Sequence, residues 1–248
     1  MGRKRNASGR GLAVWALLAL AALAGGARAA GVEAPVPSCP GWTVTDLLGH
    51  IGRIHRWVAH MIEERAPARG EHWSEAAPPA PEVILDWFAT GVPLLADALA
   101  EGGPAVDVWS WTDDHTSGFW ARRQAVETAV HRYDAQLAAG DPAPVARELA
   151  IDGIDEFFWL IPFWPWAERV RGSGETLHLH CTDGEGEWLV RLATDGVVVT
   201  REHAKGDVAA RGTASDLLLF LYGRVPASEL EVFGDATLLA RWRELVTW

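Results

Sequence analysis

The sequence predicts an α+β protein, an all-helical N-terminal part followed by a small α+β unit with an antiparallel sheet. Three observations carry this expectation. Apolar residues recur at helical spacing up to about residue 160, and proline-rich IPFWPW (161–166) then breaks the pattern. From Gly174 the period changes to two, as in Thr176-Leu-His-Leu-His-Cys181. The expected organisation is an apolar segment over residues 1–30, a helical bundle over 31–170 and an α+β domain over 171–248. A chain of 248 residues, 49% of them hydrophobic, can bury a sizeable core. A net charge of −11 argues against nucleic acid or anionic lipid as partners, because both require a dense basic surface.

Residues 1–30 open with Arg3, Lys4 and Arg5, continue through an apolar run from Leu12 to Ala24 and end on Ala27-Arg-Ala29. That is the layout of a secretory signal peptide, and the run is shorter than the ~18–20 residues a spanning helix needs. The alternative is a core helix, against which stands the lack of a polar face between Leu12 and Ala24.

Thr43-Val-Thr-Asp46 reads as a capping box opening a helix that runs to about Glu64. At 100° per residue Leu47, Ile51, Ile54, Val58 and Met61 form one stripe, with His50 and Trp57 at its edge and His60 facing water. A Pro- and Ala-rich linker (66–82) precedes a helix from about Pro81 to Ala100, with Pro93 as an expected kink. Ser117 is a candidate cap for a helix from Gly118 to Ala139, closed by Gly140, and a further helix spans Pro144 to Leu160. Strands follow at Thr176–Cys181, Glu187–Leu192 and Val197–Thr200, with helices at Thr213–Tyr222 and Ala236–Val246.

On the Gly118–Ala139 helix, Trp120, Gln124, Glu127, His131 and Asp134 share one face, and Glu127 and His131 lie one turn apart. A carboxylate and an imidazole at this spacing suit zinc or another divalent ion, although such pairs are also common on solvated helices. His50 supplies a third group from a second helix, the outline of a metal site in a bundle core. Trp57 and Trp120 are candidates for a cofactor-binding wall or for plain core packing. Arg224 could hold a substrate or cofactor carboxylate, or serve at the surface. His178 and His180 alternate on one strand face, but with no third ligand evident they read as ordinary sheet residues. Cys39 and Cys181 are too few and too far apart for a disulfide scaffold.

The segments APVPSCPGWTVTDLLGHIGRIHRW and FWARRQAVETAVHRYDAQ together resemble the mycothiol-dependent maleylpyruvate isomerase family, a branch of the DinB-like metal-binding four-helix bundles. The later GEWLVRLATDGVVVTREHAKGDVAARGTASDLLLFLYGR is similar to that family's sterol-carrier-like C-terminal domain. The resemblance implies a divalent metal, usually zinc, held by His50, Glu127 and His131, and mycothiol as cofactor. It also implies two small-molecule partners, a low-molecular-weight thiol and an electrophile. Addition of the thiolate to the double bond of a maleylpyruvate-like substrate would permit rotation, and elimination would return the trans isomer; other electrophiles would make the protein a thiol S-transferase. Two features depart from the family pattern. Val126 stands where many relatives carry His before the motif's Glu, which raises the alternative of a non-catalytic metal- and thiol-binding or sensing protein. The signal-like run occupies the place of the family's first bundle helix; cleavage after Ala29 would remove a wall of the bundle. A cytoplasmic protein that keeps this helix is therefore expected, with an exported lipid-binding module, bearing a Cys39–Cys181 disulfide, as its rival. A membrane partner is not expected, and the sequence does not specify an oligomeric state.

Overall fold

The computed structural model describes residues 9–70 and 77–246; the basic start at Arg3, Lys4 and Arg5 and part of the 66–82 linker lie outside them. By internal contacts the chain divides into two units, residues 1–143 and 144–248.

The first unit is a bundle of α1 (Gly9–Ala30), α2 (Val44–Glu63), α3 (Ile84–Gly102) and α4 (Ser117–Ala138). The capping box expected before α2 is present. Thr43 Oγ1 accepts from the Asp46 backbone N–H, and the Asp46 carboxylate accepts in return from the Thr43 N–H at 2.8 Å. These bonds hold the Asp46 carboxyl below its ordinary range. The cap of α4 is Thr116 rather than Ser117: Thr116 Oγ1 accepts from Phe119 N–H, while the Ser117 hydroxyl bonds Gly103 O and Val106 N. Pro93 lies inside α3 without ending it. By length and composition Pro81–Gly102 could cross a bilayer, but here it carries Ile84, Phe88, Leu95 and Ala98 into the bundle.

The apolar N-terminal segment is the first bundle helix. Leu20, Leu23, Ala24 and Ala27 of α1 are buried in one cluster with Leu47, Leu48 and Ile51 of α2, Ile84 and Phe88 of α3, and Ala135 of α4. Close approach of α1 to α4 depends on Gly26, where a Cβ would lie 3.1–3.2 Å from the backbone of Ala135 and Gln136. α2 and α3 are joined by Arg56, whose guanidinium stacks 3.9 Å from the Trp87 ring centre and bonds Trp87 O and Thr90 Oγ1.

The second unit contains α5 (Arg147–Leu160), β1 (Thr176–Cys181), β2 (Glu187–Ala193), β3 (Gly196–Thr200), β4 (Val208–Gly212), α6 (Ala214–Leu221), β5 (Glu231–Gly234) and α7 (Ala236–Leu245). The unit begins before α5, earlier than residue 171, because α5 packs against α6. The strands lie in the order β3-β2-β1-β4-β5. The sheet is mixed, not purely antiparallel as expected from the hairpins: β1 and β4 pair parallel, Leu177 opposite Val208. One face carries Leu177, Leu179, Trp188, Val190, Leu192, Val208 and Ala210, all buried. Phe158, Phe220, Leu221 and Trp242 of the helices meet this face at Leu177, Leu179 and Val190.

Gly25 and Gly26 test the packing of α1. No atom lies within 4 Å of a Cβ at Gly25, so Gly25→Ala should stabilise the fold by about 0.5–1 kcal/mol through helix propensity. Gly26→Leu should destabilise it by about 1–3 kcal/mol through overpacking against α4. Denaturant unfolding of both variants measures the difference; equal effects would show that α1 does not rest on α4.

Candidate metal centre

α2 and α4 face each other with polar groups at their shared margin. His50 lies at the edge of the apolar stripe of α2, and the i, i+4 spacing on α4 sets Glu127 and His131 on one side. The structure brings the three together: one donor atom from each lies within 4.8 Å of the other two. His50 Nε2 is 3.4 Å from Glu127 Oε1, and the His50 and His131 rings meet edge-on with centres 5.2 Å apart. Their side chains are 33%, 19% and 10% exposed for His50, Glu127 and His131, so the cluster opens to solvent on the His50 side.

Each member is held by a neighbour. Burial by itself would raise the Glu127 carboxyl, but the hydrogen bond from His50 and the charge of Arg123 outweigh it and hold the group at about 2. Arg123, one turn earlier on α4 and almost fully buried, places Nε 3.6 Å from Glu127 Oε2. His131 Nδ1 donates to Asp134 Oδ2 at 2.7 Å, which leaves Nε2 as the ring nitrogen available to an ion. Asp134 is fully buried and also accepts from Ser38 Oγ at 2.6 Å and Cys39 Sγ at 3.5 Å. Both donors stand in the loop before α2, which is tightened by Val36 N–H to Trp42 O and turned by Gly41 at φ +85°. The same loop sets the Trp42 ring 5.1 Å from His50 and stacks it, 14° from parallel, on His131.

Two further buried groups border the cluster. His55, one turn and a half beyond His50, pairs Nε2 with Thr128 Oγ1 at 3.1 Å. Burial lowers its pKa to about 3, against an opposing pull from Glu127. Gln124 is fully buried on the Glu127 face of α4, and neither amide atom has a partner among the described residues.

Sequence reading placed Gln124 and Asp134 on the right face but gave them no role, and it missed Trp42, Ser38, Arg123 and His55. The signal for the first two of these was the turn-rich SCPGW stretch directly before the α2 cap. Trp57 and Trp120, both buried, pack at right angles, 5.3 Å apart, in an aromatic cluster with the half-buried Trp109 and Trp111, and donate to Arg69 O and Trp109 O respectively. Trp42, not this pair, stands against the histidines. Arg224 belongs to the second unit, where its Nη1 donates to Tyr222 O at 2.7 Å. Val126 is fully buried. Among the described residues neither cysteine is in a disulfide. Burial, reinforced by Asp183, pushes the Cys181 thiol up to about 11.

Comparison with known proteins gives a consistent picture. A family model described as the mycothiol maleylpyruvate isomerase N-terminal domain matches residues 16–136, and the C-terminal domain model of the same family matches residues 148–241. The fold is similar to a crystal structure of "the mycothiol-dependent maleylpyruvate isomerase", with a TM-score of 0.67 at 14% identity over 94% of this chain and 95% of that one. A histidine-to-alanine mutant of that enzyme superposes with a TM-score of 0.66 at 13% identity, with the same coverage of both chains. No curated protein matches the chain.

The buried His55 gives the stability a defined pH dependence. Below about 6.5 the unfolded chain binds a proton that the folded chain refuses until about pH 3. Its contribution is therefore complete above about pH 6.5 and is lost as the pH falls through that window. Between pH 7 and 5, before carboxylates titrate in the unfolded chain, wild type should lose more unfolding free energy than His55→Asn. Parallel losses in denaturant titrations at the two pH values would contradict this assignment.

Proposed function

The chain belongs to the mycothiol maleylpyruvate isomerase family, and from that premise we propose that it is a divalent-metal- and mycothiol-dependent isomerase or thiol S-transferase, with His50, Glu127 and His131 as the metal ligands. The observation that carries the reading is the convergence of these three side chains at a partly open point of the bundle. Two imidazoles and a carboxylate fit zinc, or another borderline divalent ion, and three protein ligands leave a coordination position for an exogenous thiol. When bound, such an ion would supply Lewis-acid activation, lowering the pKa of the cofactor thiol so that a thiolate is available near neutral pH.

The residues of the chain prepare that site. Asp134 orients His131 and makes its ring a better donor. Arg123 and His50 keep Glu127 ionised. Trp42, which stands against His50 and His131, forms an aromatic wall for the cofactor. The unpartnered amide of Gln124 offers a donor and an acceptor to a polar part of the cofactor or substrate. Arg224 is a candidate for holding an anionic group in the second unit. Maleylpyruvate is the proposed substrate. A second reading, metal and thiol binding without turnover, is favoured by Val126 alone: an apolar, buried side chain there can move no proton.

A cytoplasmic location accords with this reading, since cleavage after Ala29 would remove Leu20, Leu23, Ala24 and Ala27 from the core. Intact α1 in the mature protein, read by N-terminal sequencing, is the expected result.

Elemental analysis tests the centre. His50→Ala and Glu127→Ala should each carry one metal ion fewer per chain than wild type, and turnover of maleylpyruvate with mycothiol should fall at least about 100-fold. Unchanged metal content in both variants would exclude these ligands, and thiol binding without turnover in wild type would select the second reading. Asp134→Asn should weaken metal binding by about 10–100-fold while leaving the three ligands in place. Gln124→Leu should raise stability by about 1–3 kcal/mol, because it removes a buried unsatisfied amide, while raising the KM for the cofactor or substrate. A stability gain with unchanged kinetics would remove Gln124 from the binding site.

A further inference from the structure

The outer face of the second unit's sheet gathers three of the nine histidines around one carboxylate. His178 and His180 alternate along β1 and so project from the same face. Glu187, the first residue of β2, lies directly opposite His180 in the register. The fourth member comes from the segment that leaves β3. Thr200 pairs with Leu189, and the chain then continues past the start of β2, which brings His203 to Glu187. Glu187 Oε2 lies 2.9 Å from His178 Nε2, 3.4 Å from His180 Nδ1 and 2.6 Å from His203 Nδ1. The ring centres are 5.6–6.0 Å apart in pairs, and the four donor atoms lie within 4.8 Å of one another.

Hydrogen bonding alone does not account for this arrangement. His178 and His203 hydrogen-bond Glu187 Oε2 and so use its two lone-pair directions, while His180 Nδ1 stands 3.4 Å from the same oxygen without a hydrogen bond to it. A cation among the four groups would engage all three imidazoles. An ion with bonds of about 2.0–2.1 Å in a tetrahedron spaces its donors about 3.3 Å apart, close to the Glu187–histidine distances already present.

The segment that brings His203 is fixed at both ends. Arg201 binds both oxygens of Asp155, at 2.9 and 2.6 Å, and its guanidinium lies 4.7 Å from the Trp188 ring centre. Asp207 accepts from Thr176 N and Oγ1, each at 2.8 Å. Between them Gly206 passes so close over β1 that a Cβ would stand 3.0 Å from His178 N. The fourth ligand is therefore delivered by a positioned strap, although the His203 side chain is 79% exposed. His178, by contrast, is nearly buried beneath it.

The geometry points to a second metal site, formed by His178, His180, Glu187 and His203, that takes a borderline divalent ion such as zinc. Three imidazole nitrogens with one carboxylate favour zinc, cobalt, nickel or copper over magnesium or calcium, which prefer all-oxygen shells. Four protein ligands complete a tetrahedral shell, so the site is structural and clamps the 201–207 strap to the sheet. It is independent of the centre at His50.

Zinc titration of the untagged full chain, stripped with chelator and read against a competing chromophoric chelator, tests the site. The His50→Ala/Glu127→Ala double variant should still bind one equivalent, and adding His203→Ala should weaken that binding at least about ten-fold. Circular dichroism checks that the fold is retained, which the exposure of His203 favours. If the double variant does not fold, wild type against His203→Ala alone decides: two equivalents falling to one support the site. Zinc binding that is unaffected by His203→Ala, or none in a folded double variant, overturns it. A single equivalent lost in His203→Ala and kept in His50→Ala would support this site while refuting the first.

Discussion

The arrangement of the first unit turns on the buried carboxyl of Asp134. A carboxylate removed from water is costly unless donors surround it, and this one recruits them from two places distant in sequence. Ser38 and Cys39 come from the loop before α2, and His131 comes from the preceding turn of α4. One group thus fixes three things together: the path of the loop, the orientation of the His131 ring and, through the loop, the position of Trp42 against both histidines. The placement of His131 within the candidate centre therefore depends on satisfying Asp134 and is not set by the helix spacing alone.

α4 carries an unusual load for a bundle helix. Arg123, Gln124, Thr128, His131, Arg132 and Asp134 are all buried on it. A helix selected only for packing would place apolar residues at most of these positions, since each buried polar group must be matched to a partner. Its other side meets α1 at Gly26, where the backbones of the two helices nearly touch. The close contact with α1 lets α4 stay in the bundle although much of its buried surface is polar. Departures from simple patterning gather where a site is expected, and the face bearing Glu127 and His131 is where they gather here.

Local signals made most helices legible. The Thr43–Asp46 capping box, the period of α2 and the closing Gly140 located elements to within a few residues of Val44–Glu63 and Ser117–Ala138. The pairing of Glu127 with His131 needed only helical geometry. The contacts that complete the site were illegible because they join residues 95 and 96 positions apart, through a loop with no periodic pattern. In the sheet, β4 is Val-Ala-Ala-Arg-Gly and β5 spans four mostly exposed residues, so neither shows the alternation that marks a half-buried strand. The parallel pairing of β1 with β4 follows from that hidden strand and could not be inferred from hairpins alone.

His178 and His180 show most plainly why a sequence pattern can carry a site without revealing it. Alternation on β1 put both rings on one face, but two ligands do not make a metal site, and the other two depend on tertiary structure. Glu187 becomes a neighbour only through the register of β1 with β2, and His203 only because Arg201 and Asp207 hold the intervening strap. The two histidine–carboxylate clusters also differ in the number of groups the chain supplies. Three donors at the margin of two helices leave room for an exogenous ligand, which the proposed chemistry requires. Four donors spread over two strands and a strap fill a tetrahedral shell, which suits the second cluster to holding the sheet's outer face together.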